Sequence, residues 1–104
     1  MDTSIGVVFT LDMHGNFTWI CENIKDITKY TQEDVIGTNI SRYVYPDDLD
    51  FILHRIMIAK PGHTDKSTFS IIDKDGKIFS VTSRRLVTND QILGILYKEK
   101  DDGS

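Results

Sequence analysis

The chain has 104 residues, of which 39% are hydrophobic and 27% charged, with a formal net charge of −4. One domain with one core is expected at this length, and such a domain buries roughly two thirds of the surface its unfolded chain exposes, leaving little apolar surface for a large cavity. The acidic balance argues against a nucleic-acid partner, because phosphate binding depends on grouped lysines and arginines; the only adjacent arginines are Arg84 and Arg85, which a strand would turn to opposite faces.

Cys21 is the single cysteine, so an internal disulfide and a multi-thiolate metal site are both excluded, and a reducing, cytoplasmic setting fits. No apolar run approaches the roughly 20 residues a membrane span needs, and the N-terminus shows no charged-then-apolar signal pattern. Direct membrane contact is therefore not expected of the module, although a longer parent chain could carry an anchor.

In chain order, Ile5, Val7, Phe9 and Leu11 alternate on one face of a first strand, with Val8 apolar on the other. Asp12, His14, Gly15 and Asn16 break the pattern before a second β-prone run from Phe17 to Cys21, and the two runs are expected to pair as an antiparallel hairpin. Between Asn23 and Ile40 the apolar residues Ile24, Ile27, Tyr30, Val35 and Ile36 recur at helical spacing. Thr31 stands as an N-cap before Gln32, Glu33 and Asp34, and Gly37 as a left-handed stop. Pro46, Asp47 and Asp48 open the clearest helix, whose buried stripe is Leu49, Ile52, Leu53 and Ile56. Three strands follow, at 67–72, 77–88 and 91–98, joined by turns at Asp73 to Gly76 and at Asn89 and Asp90.

The order strand, strand, short helices, one longer helix, three strands resembles the PAS domain family over about residues 5–98. Its most specific stretch, Ile27 to Gly37, looks like the family's "LTGYSxEELIG" segment; Tyr45, Pro46, Asp47 and Asp48 stand in place of "HPDD", and Asp73 to Lys77 match the "KDG" hairpin. The chain departs from the pattern at Lys29, where Gly is common, at Cys21, where Asn is common, and at Lys98, Glu99 and Lys100, which replace the Asp-Ile-Thr ending. The resemblance implies an α+β fold: a five-stranded antiparallel sheet in order 2-1-5-4-3, with helices on one face and a pocket between the long helix and the sheet. It also implies a sensory or dimerisation role in a larger signalling chain, such as a histidine kinase or cyclic-dinucleotide enzyme. The 104 residues are expected to be one such domain, cut from that longer chain.

Cofactor positions are occupied by other chemistry. Relatives that form a flavin adduct take the cysteine from a "GxNCRFLQ" segment, and Ile40 stands in that place here, so no adduct is expected. Haem-binding relatives often take a histidine from the long helix, but His54 lies about 150° from the centre of the buried stripe and should face solvent. Asp47 and Asp48 read as helix-start residues rather than an acid pair, and Ser67, Ser70, Ser80 and Ser83 lack a histidine and carboxylate at triad spacing. Neither catalysis, a metal site nor a cofactor is expected.

Two function classes remain. A small-metabolite pocket would be walled by Trp19, Ile40, Tyr43, Ile52, Ile56, Phe69, Ile71, Val81 and Ser83, against the plainer expectation that these side chains simply fill a packed core. The alternative is a ligand-free dimerisation or interaction scaffold. Phe51 and Ile58 lie opposite the helix's buried stripe, and the runs around Val8 and from Ile92 to Tyr97 are apolar on both alternations, so Leu93, Ile95 and Tyr97 would leave a sheet face uncovered. A second subunit or a flanking helix or effector is expected there, with Lys98 to Lys100 passing the signal on.

Overall fold

The computed structural model describes residues 6–99; Ile5, Lys100 and the tail from Asp101 to Ser104, on which some expectations fell, lie outside the described residues. The strands are β1 (Gly6–Asp12), β2 (Phe17–Ile20), β3 (Thr64–Ile72), β4 (Ile78–Val87) and β5 (Gln91–Lys98); the helices are α1 (Ile24–Thr28), α2 (Gln32–Val35) and α3 (Pro46–Met57), with a single 3₁₀ turn at Ile40–Arg42. The strands form one antiparallel sheet in order β2-β1-β5-β4-β3, as the family resemblance implied.

Local chemistry accounts for the short elements. Thr31 closes a capping box on α2: its hydroxyl accepts from Asp34 N at 3.1 Å, and the Asp34 carboxylate accepts from Thr31 N at 3.0 Å. The Thr31 N–H, and after it the Thr31 hydroxyl, hold the Asp34 carboxyl below its ordinary pKa. Gly37 follows the helix with φ +91°, a conformation costly to side-chain-bearing residues. Lys29 is the only non-glycine residue with positive φ (68°) among the described residues, which is the conformation a glycine would favour there; its ammonium pairs with Asp75 across to the β3–β4 turn.

Inward alternation builds the core. Val7, Phe9 and Leu11 of β1, Ile92 and Leu96 of β5, Val81 and Val87 of β4 and Phe69 and Ile71 of β3 meet Ile24, Ile27, Val35, Ile40, Ile52 and Ile56 from the helical layer. In α3 the full burial is confined to Ile52 and Ile56, while Leu49 and Leu53 are half-buried at the margin of the expected stripe. Asp48 does not cap that helix. Its carboxylate accepts from Ser70 N at 2.8 Å and ties the start of α3 to β3.

Candidate functional site: the interior cavity and the outer sheet face

A space of about 40 Å³ lies between the end of α3 and strands β4 and β5. Between the short helices and the sheet lies a second cavity, also of about 40 Å³, lined by Phe9, Phe17, Ile20, Ile24, Thr28, Tyr30, Val35, Ile40, Tyr43, Phe69, Ile71 and Leu96. The one hydroxyl of a short side chain on this wall is already used, since Thr28 Oγ1 donates to Ile24 O at 3.0 Å. Aromatic rings pack edge to face across it, Phe9 on Phe17, Phe17 on Tyr43 and Tyr43 on Tyr30, with centroids 5.9, 5.9 and 5.2 Å apart. A water needs about 10–15 Å³ of such space, so the cavity has room for about three waters, whereas metabolite sites begin near 300 Å³.

Of the residues expected to wall a pocket, Ile40, Tyr43, Phe69 and Ile71 do line this cavity. Ile52, Ile56, Val81 and Ser83 are buried but stand away from it. Trp19 is a correction: it pairs with Thr10, lies on the outer face of the sheet and is 43% exposed. The cause is a bulge between Thr10 and Leu11 opposite β2, which puts two consecutive residues, Thr18 and Trp19, outward between the inward Phe17 and Ile20. His54 is exposed on α3.

A polar latch closes the far end of the inner face. Arg85, with 6% of its side chain exposed, donates to Asp65 at 2.6 Å and to Ser67 Oγ at 2.7 Å; Arg55 of α3 donates to the other Asp65 oxygen at 2.7 Å. Burial pulls the Arg85 pKa down and the Asp65 carboxylate opposes that pull. Together with Asp48, this carboxylate bridge fastens both ends of α3 to β3. Beside it, Ser83 Oγ is buried without a hydrogen-bond partner.

The outer face is finished differently. Val8, Leu93, Ile95 and Tyr97 project there from β1 and β5, joined by Leu86 from β4, a residue the sequence reading had not placed; Val8, Leu86 and Leu93 are each about two fifths exposed. All but Tyr97 border an open groove of about 730 Å³ together with Thr64, Asp65, Lys66, Arg84, Arg85 and Gly94. Phe51 and Ile58 are exposed as expected but on the helical side, with Phe51 under the Arg55 guanidinium at 4.9 Å, so they belong to a separate surface. Lys98 alternates inward, its ammonium 4.8 Å from the Phe79 ring centroid, and is therefore not part of the outer group.

No helix among the described residues is long and apolar enough to cross a membrane. A family model described as a PAS fold matches residues 17–96. Among solved structures, the chain is similar to the PAS domain of an HTR-like protein from Haloarcula marismortui (TM-score 0.82, 18% identity, covering 93% of this chain and 84% of that one). It is also similar to the PAS domain of the Cronobacter turicensis RpfR quorum-sensing receptor in complex with BDSF (0.79, 17%, 96% and 97%). A third likeness is the N-terminal domain of a diguanylate cyclase with a PAS/PAC sensor from Marinobacter aquaeolei (0.77, 10%, 90% and 94%). No curated protein matches in sequence. The family match spans most of the chain, and the strand order and helical layer agree with it: the chain belongs to the PAS domain family.

Proposed function

We propose that this PAS domain is a signal-transduction input module that works by docking a second subunit or a flanking helix on its outer sheet face. The observation that carries the reading is the contrast between interior spaces with room for about three waters each and an uncovered apolar face beside a groove of about 730 Å³. Likeness to domains of a quorum-sensing receptor and a diguanylate cyclase supports the signalling context.

Strand β5 is the element suited to relay. It lies in the middle of the sheet, presents Ile92 and Leu96 to the core, and turns Leu93, Ile95 and Tyr97 outward. Gly94 sits under the Phe9 ring, where an added Cβ would lie 2.3 Å from a ring carbon, so displacement of Phe9 at the cavity wall bears directly on the β5 backbone. An occupant that prefers one packing of β5 by about 1.4 kcal/mol changes the state ratio tenfold.

Light scattering and apolar-dye binding on the wild-type chain and on Leu93→Asp test the reading. The expected result is self-association or strong dye binding in the wild type that Leu93→Asp abolishes. A monomer that binds no dye, or a metabolite carried through purification and seen by native mass spectrometry, would overturn it in favour of ligand sensing.

A further inference from the structure

The groove has a charged margin as well as an apolar floor. Lys66 of β3 and Arg84 of β4 are direct cross-strand partners, and both alternate to the outer face. Like charges set directly opposite destabilise a sheet. Neither residue has an ion-pair partner among the described residues, whose pairs are Lys29 with Asp75, Arg55 and Arg85 with Asp65, and Lys74 with Asp34. The acidic groups nearby are engaged elsewhere: Asp65, which also lines the groove, accepts from Arg55 and Arg85, Asp12 accepts from His14 N, Asn16 N and Asn16 Nδ2, and Glu99 accepts from Thr82 Oγ1. Two unneutralised cations thus stand side by side on a protein of net charge −4, bordering its exposed apolar strip.

The spacing suggests what fits. From Val8 on β1 through Leu93 and Ile95 on β5 to Leu86 on β4 the strip crosses two strand intervals, about 10 Å, which is the width of one α-helix with its side chains. Arg84 faces Ile95 from β4, two residues before Leu86, and Lys66 lies one strand further out, so a helix laid along the strip rests its apolar stripe on Val8, Leu93 and Ile95 and its flank on the β3 side over Arg84 and Lys66. We infer that the outer face takes an amphipathic helix whose apolar stripe is bordered by carboxylates. This rests on the docking reading above and adds the charge that the occupant must carry.

The test uses the full chain and two synthetic helical peptides with the same leucine stripe, one flanked by glutamates and one by lysines. Trp19, the only tryptophan, lies on this face and reports binding by its fluorescence. The glutamate peptide is expected to bind about tenfold more tightly at low salt, with the gap closing at high salt, and Lys66→Glu with Arg84→Glu reverses the preference. Equal affinities, or binding of neither peptide, overturn the inference. So does a stronger Trp19 response to vesicles of anionic lipid than to the glutamate peptide, which would make the cations a membrane contact. If both peptides bind equally and Leu93→Asp abolishes binding, the charge inference fails alone. If Leu93→Asp leaves every binding event unchanged, the docking reading fails with it.

Discussion

The inner and outer faces of the sheet are made by the same alternation of residues, yet the chain completes only one of them. Inward, each apolar side chain meets another, the buried Arg85 guanidinium has a carboxylate and a hydroxyl, and the residual spaces are about 40 Å³ each. Outward, Val8, Leu86 and Leu93 remain substantially exposed beside two cations without an ion-pair partner among the described residues. An interior this full has little room for a ligand, while apolar area left in water costs stability that only an occupant recovers.

Substitutions separate the two faces by the size of their effects. The largest is expected from Asp65→Ala, which strands Arg85 in the core beside Arg55: urea unfolding should show a loss of about 3 kcal/mol, at the lower end for a broken buried pair because Asp65 is partly exposed. A loss below about 0.5 kcal/mol, the range of an ordinary surface change, would mean that the latch does not close the inner face. Gly94→Ala comes next, at about 1–3 kcal/mol, since its methyl meets the Phe9 ring; Phe9→Leu in the same chain should return part of the loss, and no rescue would argue against that contact.

On the outer face, Leu93→Asp should lower unfolding free energy by only about 1 kcal/mol while removing docking, because its side chain is two fifths exposed and stands outside the core, leaving mainly the strand preference to be lost. A large destabilisation would erase the distinction between the faces. Acid unfolding reads the β1–β2 turn at the end of the outer face. Burial raises the Asp12 pKa, but the hydrogen bonds from Asn16 and His14 outweigh it and the net shift is downward. A carboxyl depressed in the folded state contributes stability above its unfolded pKa, near 3.8, and loses it as pH falls through the lower folded value. Asp12→Asn should therefore flatten the fall in stability below that pH, and an unchanged slope would show the carboxylate to be idle.

Much of this fold was legible because its determinants are local. Thr31 and Asp34 lie three residues apart, Gly37 and Gly76 mark positive-φ positions, and Val7, Phe9 and Leu11 alternate without interruption. The site was less legible. Trp19 shares parity with Phe17, so simple alternation sends it inward; the bulge that turns it out is a property of the pairing with β1, not of β2 alone. The latch joins residues 10 to 20 positions apart on three elements, and Asp65 precedes the expected start of its strand at Ser67. Its one sequence signal was Arg85, a charge at inward parity with Val81, Ser83 and Val87, which demands a buried counter-charge. Leu86 was similarly readable from its outward parity with Arg84.

The most direct test of the contrast is a methyl-NMR titration of the full chain with the glutamate-flanked helix. Val8, Leu86, Leu93 and Ile95 on the outer face should shift most, with smaller shifts passed through Phe9 to Ile20, Ile24, Ile40 and Ile71 at the cavity. Shifts confined to the cavity methyls, with the outer four unmoved, would contradict the account.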